Sequence, residues 1–137
     1  MNPYIKFKHP KDIQLFNYLN PVLLDVIEKL SFWCEARELP FRITCTISTL
    51  EEDKALKRVS DSHRTRRAVD LSLHEWPEEK INSFQTIFNA KYKDKASISK
   101  SDGIPRLIVV HGVGENRHFH VALHSKYSMA DQKTTVK

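Results

Sequence analysis

The sequence predicts an α+β domain, a small antiparallel sheet flanked by two to three helices, and three observations predict it. Residues 68–74 (AVDLSLH) and 118–124 (HFHVALH) alternate apolar and polar side chains, the period of a half-buried strand. Residues 21–39 and 77–92 repeat apolar side chains every three or four positions, the period of an amphipathic helix. Two further runs, residues 41–49 and 105–112, supply strands between the helices.

Along the chain, residues 11–19 (KDIQLFNYL) set Leu15, Phe16 and Leu19 on one side and predict a short helix. Asn20 can then cap and Pro21 can occupy the first turn of a longer helix, in which Leu23, Val26, Ile27, Leu30, Trp33 and Cys34 follow helical spacing until Pro40 stops it. The β-branched run FRITCTIST reads as a strand, and the polar residues 50–61 as one or two helical turns. In the next strand Val69, Leu71 and Leu73 face the core, while Ala68, Asp70, Ser72 and His74 face away from it.

Trp76 and Pro77 open a second long helix with Ile81, Phe84, Phe88 and Tyr92 turned inward. Residues 93–103 read as a basic, solvated loop, residues 105–112 as an interior strand, and residues 112–116 as a turn. The last strand buries Phe119, Val121 and Leu123 and leaves His118, His120, Ala122 and His124 on the other face. One domain spans 1–137, with its core at about 11–125 and a frayed tail over 126–137.

At 137 residues, 40% apolar and 28% charged, the chain suits a single core. No apolar run approaches the ~20 residues of a membrane span, and MNPYIKFKHP lacks the apolar stretch of a secretory signal, so synthesis in the cytoplasm without export by that route is expected. Cys34 and Cys45 are too few for a disulfide framework and read as small buried residues. The net charge of +5 favours a polyanionic partner, whether nucleic acid, an anionic lipid surface or an acidic wall polymer. No basic recognition helix or aromatic stacking platform is evident, so nucleic acid is not the expected partner.

The two alternating strands carry the chemistry. If they are neighbours, Asp70 meets His118 or His120 on one surface, and His63 arrives from the loop before the first strand. Two imidazoles and a carboxylate are a donor set that catalytic zinc uses, with a fourth position left open. Hydrolysis at such a centre also needs a base, and Glu115 and whichever of His118 or His120 is not a ligand are available. His9, His74, His111 and His124 read as surface or satisfied polar residues.

The segment SDSHRTRRAVDL, with His63, Ala68 and Asp70, and the later ENRHFHVAL resemble the zinc metallopeptidase group of D-alanyl-D-alanine carboxypeptidases, phage L-alanyl-D-glutamate endolysins and the hedgehog domain. Members carry S-x-H-x-x-G-x-A-x-D and a later strand with the third ligand, and the order of elements over residues 20–125 is similar too. The resemblance implies a hedgehog-like fold and one Zn²⁺ held by His63, Asp70 and His120. His118 is then the base or transition-state stabiliser; a Glu-x-x-His register, Glu115 to His118, keeps Glu115 as the alternative base.

The chain departs from the pattern at Arg66, where members have glycine, and at Asp61, where they have serine, although Ser62 is adjacent. Thr46 and Ser48 stand where members show a Gly-x-Arg turn with a substrate-binding arginine, and Arg64, Arg66 or Arg117 are candidates to replace that cation. Ser62, Arg64, Arg66 and Arg117 are thus the expected substrate-binding residues. The expected activity is cleavage of peptidoglycan stem peptides by a monomeric phage endolysin. It would be made in the host cytoplasm and act in the periplasm or cell wall after release by a separate membrane-pore protein. The alternative is a non-hydrolytic, metal-containing domain of the same fold that binds cell wall or a protein partner.

Overall fold

A computed structural model of the chain describes residues 1–130. It begins with a two-residue strand, β1 (Lys6–Phe7), and a short helix, α1 (Pro10–Leu15). Helix α2 (Pro21–Ala36) is capped by the Asn20 side chain, which accepts from the Val22 N–H at 2.8 Å. It ends where Glu38 turns into the left-handed region (φ 56°). Strand β2 (Arg42–Cys45) leads to α3 (Leu50–Ala55), whose Thr49–Glu52 capping box fixes its start.

Strand β3 (Ala68–Ser72) and helix α4 (Glu78–Lys91) follow, then the hairpin of β4 (Ser97–Ile98) and β5 (Pro105–Arg106). Strands β6 (Ile108–His111) and β7 (His118–Ala122) complete the main sheet. The order in that five-stranded sheet is β1-β2-β3-β7-β6, with β1 parallel to β2 and every other pair antiparallel. Among the described residues the fold is therefore α+β with four α-helices rather than the expected two to three, and its sheet is mixed rather than antiparallel.

One sheet face carries the core. Phe119 on β7 meets Trp76 and Phe84 with ring centroids 5.0 and 4.9 Å apart, and Trp33 packs on Phe84 and Phe88. This cluster joins α2 and α4 to the sheet and fixes which side of β7 is buried. With Phe119 and Val121 fully enclosed, His118 and His120 turn to the opposite face.

Three further expectations from the sequence are corrected. Residues 105–112 form no interior strand: the run breaks at Leu107, and β6 lies at the sheet edge. Asn89 on α4 covers that edge, its amide accepting from the Ile108 N–H at 2.7 Å and donating to the Ile108 carbonyl at 3.0 Å. The expected loop 93–103 holds β4, which no alternation announces because it is two residues long. The expected tail is anchored as far as it is described, since the Met129 N–H donates to the Thr65 carbonyl and the Arg67 guanidinium to Ser128 Oγ. The remainder of that tail, residues 131–137, lies outside the described residues.

Candidate metal centre

Strands β3 and β7 are direct neighbours, and their register places Asp70 opposite His120 and Ser72 opposite His118. Asp70 is the hub. Its Oδ1 lies 3.2 Å from His63 Nε2 and 2.9 Å from His120 Nδ1; its Oδ2 lies 3.8 Å from His118 Nε2 and 3.7 Å from Arg58 Nη2.

His63 arrives on a single tight turn in which Thr65 N–H bonds the Asp61 carbonyl, Arg66 N–H that of His63 and Arg67 N–H that of Ser62. The turn ends because Arg66 adopts φ 67°, the left-handed conformation glycine tolerates best. Arg66 occupies the position where the resembled pattern has glycine, and the backbone keeps the glycine-like shape. Arg66→Gly is accordingly expected to change stability by less than about 1 kcal/mol, while the β-branched Arg66→Val costs about 2 kcal/mol in urea unfolding. Equal costs for both would contradict this account of the turn.

The His63 ring is held at both nitrogens. Nδ1 lies 2.7 Å from the Thr46 carbonyl, which can only accept, so Nδ1 carries a proton and Nε2 is the atom presented to Asp70. Burial opposes charge on His63, but Asp70 and the nearby Cys45 sulfur outweigh it, and the His63 pKa stands well above the ordinary histidine value. Burial likewise opposes charge on Asp70, yet His63 and His120 hold its carboxyl far below the usual carboxylate range. Burial lowers the His120 pKa, and the partly compensating bond to Asp70 does not restore it. These shifts favour the charged forms of His63 and Asp70 and the neutral form of His120, whose Nδ1 donates to Asp70 and whose Nε2 lies 3.4 Å from Ser62 Oγ.

A tetrahedral ion with N and O donors at about 2.0–2.1 Å sets those donors about 3.3 Å apart. The 3.2 and 2.9 Å separations around Asp70 Oδ1 are near that spacing, and an ion there would have to displace the protons that His63 Nε2 and His120 Nδ1 direct at the carboxylate. Among the described residues, the set whose donor atoms all lie within 4.8 Å of one another is Cys45, His63 and Asp70. Cys45, expected to be a small buried residue, is only half-buried and reaches the site because β2 bulges. Ile43 pairs with Leu71 and Cys45 with Asp70, so one strand advances two residues while the other advances one. Its Sγ is 3.7 Å from His63 Nδ1, the nitrogen already committed to Thr46.

Two residues that the sequence did not single out complete the surroundings. Arg58 reaches Asp70, lies 3.5 Å from Cys45 Sγ and donates to the buried Asp53 at 3.2 Å. His111, read from the sequence as a surface histidine, pairs across strands with His118 and stacks on His120 with centroids 5.1 Å apart. A cleft of about 360 Å³ opens over Asp70, lined among others by Leu56, Arg58, Ser62, His111 and His118. A groove of about 720 Å³ continues past His111 and His120 toward Arg64, Lys100 and Arg106.

Not every expected site residue converges. His63, Asp70, His118, His120 and Ser62 all line the cleft. Arg64 lines the adjoining groove and donates to Asp53 at 3.1 Å. Arg66 serves the turn and is absent from the cleft lining. Arg117 is drawn away by an exposed ion pair with Glu78 at 2.6 Å, and Glu115 is exposed on the short turn before β7, outside the cleft lining. Thr46 and Ser48 are buried and bonded to Asp12 and Asp53, so neither faces a ligand.

The two cysteines differ in chemistry. Burial pushes the Cys34 thiol up to about 12, whereas Cys45 is partly exposed beside Arg58 and His63. A thiol-labelling reagent is expected to modify Cys45 alone in the native protein and Cys34 only after unfolding; native labelling of both would contradict the burial of Cys34. Comparison of the chain with protein-family models, with curated proteins and with solved structures yields no significant match.

Proposed function

We propose that the protein is a zinc-dependent peptidase that cleaves peptide bonds in the stem peptides of peptidoglycan and serves as a phage endolysin. The observation that carries this reading is the convergence of His63 Nε2 and His120 Nδ1 on one oxygen of Asp70, at 3.2 and 2.9 Å and beneath an open cleft. His63, Asp70 and His120 would hold Zn²⁺, with Cys45 as the competing third donor. The ion would supply a Lewis acid that polarises the scissile carbonyl and acidifies a water.

The chain's own residues supply the rest. His118 Nδ1 lies 2.9 Å from the Asn116 carbonyl and so carries a proton, which leaves Nε2, facing Asp70 and the cleft, as the base that passes a proton to the leaving amine. Arg58 presents the cation that a Gly-x-Arg turn would otherwise provide, placed to bind substrate carboxylate or developing negative charge. Arg64, Arg66 and Arg117 are not needed for that role. The net charge of +5 suits an anionic wall. Among the described residues no helix is long and apolar enough to cross a membrane.

Incubating zinc-loaded protein with isolated peptidoglycan is expected to generate new amino termini. His118→Ala should reduce the rate by about 10²–10⁴-fold, and Glu115→Gln by much less. Stoichiometric zinc with no new termini would contradict hydrolysis and favour a non-hydrolytic domain that binds the wall or a protein partner.

A further inference from the structure

Thr46 is fully buried at the end of β2, and each of its polar groups is spoken for. Its carbonyl receives His63 Nδ1 at 2.7 Å; its N–H and its hydroxyl both go to Asp12 Oδ1, at 3.0 and 2.5 Å. Asp12 is itself fully buried, in the first turn of α1. Its second oxygen, Oδ2, has no hydrogen-bond partner among the described residues, and Asp12 appears in no ion pair there. A buried carboxylate is expensive to keep, and this one spends its hydrogen bonding on a single residue.

We infer that Asp12 is a positioning residue for the metal centre: by clamping Thr46 at both N–H and hydroxyl, it fixes the carbonyl that orients the His63 ring. The inference rests on the proposed metal site. Its physical basis is that an imidazole bound to an ion through one nitrogen is aimed by whatever the other nitrogen donates to, and loss of such a partner typically weakens metal binding 10–100-fold. Here the aiming group is a backbone carbonyl. Such a carbonyl is only as well placed as the residue that bears it, and Asp12, 34 positions away in sequence, is what places it.

The test compares the full-length parent with Asp12→Asn, Asp12→Ala and Ile27→Val, the last a conservative loss in the core of α2. Zinc affinity is read by competition with a chromophoric chelator, and the His63 Nδ1–H proton by nitrogen-edited NMR with and without zinc. Asp12→Ala is expected to weaken zinc binding by about 10–100-fold and to shift or broaden the Nδ1–H signal. Asp12→Asn, which keeps an acceptor oxygen, should lie between it and the parent, and Ile27→Val should change neither reading. Unchanged affinity and an unmoved Nδ1–H in both Asp12 variants would overturn the inference. If the parent binds no zinc, the metal reading fails on its own, and the Nδ1–H signal of the metal-free proteins still decides whether Asp12 holds His63. If Asp12→Ala does not fold, Asp12→Asn carries both readings.

Discussion

Asp70→Asn is expected to keep the fold and lose both the ion and turnover. The carboxamide preserves shape and one acceptor oxygen, but it removes the negative charge on which His63, His120, His118 and Arg58 all converge. A neutral amide oxygen is a poor zinc donor, and a Lewis acid worth several kcal/mol in the transition state corresponds to about 10³-fold or more in rate. Circular dichroism should show retained structure while hydrolysis of peptidoglycan falls to background. Turnover within tenfold of the parent would remove Asp70 from the centre of the mechanism.

The site ties stability to pH through two residues, and on the proposed centre zinc would reverse the direction set by His63. In the metal-free protein, Asp70 has a depressed pKa, so its contribution is present above the ordinary carboxylate value near 3.9 and fades as pH falls below it. His63 has a raised pKa, so its contribution is full below about 6.5 and is lost as pH rises through the folded value. Zinc at the proposed centre would have to displace the protons on His63 Nε2 and His120 Nδ1, so the stabilisation it would add grows as pH rises.

Asp53→Ala is expected to cause the largest loss of stability. Asp53 is almost wholly buried and accepts from Ser48 Oγ at 2.6 Å, Arg58 Nη1 at 3.2 Å and Arg64 Nη1 at 3.1 Å. Removing it takes the shared carboxylate from two guanidinium groups whose side chains are about a fifth exposed, and leaves the Ser48 hydroxyl short of its acceptor. Breaking a buried pair costs about 3–5 kcal/mol; the partial exposure of both arginines brings this to roughly 3 kcal/mol, or about 10 °C in Tm. Calorimetry checks it, and a shift below about 2 °C would show that the arginines find other partners. Because Asp53 also steadies Arg58 next to Asp70, the variant should lose activity even where it remains folded.

Much of the site was legible because strand alternation is a strict constraint. Once Phe119 and Val121 are assigned to the core, His118 and His120 must share the other face, and Asp70 is fixed in the same way by Val69 and Leu71. What alternation misses is whatever depends on register or on a break in it. Cys45 changes face at a bulge, and nothing in FRITCTIST marks where the extra residue falls. His111 joins the histidines because β6 pairs with β7; the signal was present, since Val109 and His111 alternate with Ile108 and Val110, but the strand order needed to use it was not. Arg58 follows α3 and Asp12 lies on α1, and their contacts with Asp70 and Thr46 span long stretches of sequence that no local period reports. The parallel strand β1 escaped notice because two residues have no period to show.

The most direct test is metal content per chain, measured by inductively coupled plasma mass spectrometry after equilibration with zinc and removal of excess. The parent and Cys45→Ala should each retain about one zinc, and His63→Ala, Asp70→Ala and His120→Ala essentially none. A parent without a stoichiometric ion, or a His120→Ala that keeps its zinc while Cys45→Ala loses it, would contradict the proposed centre.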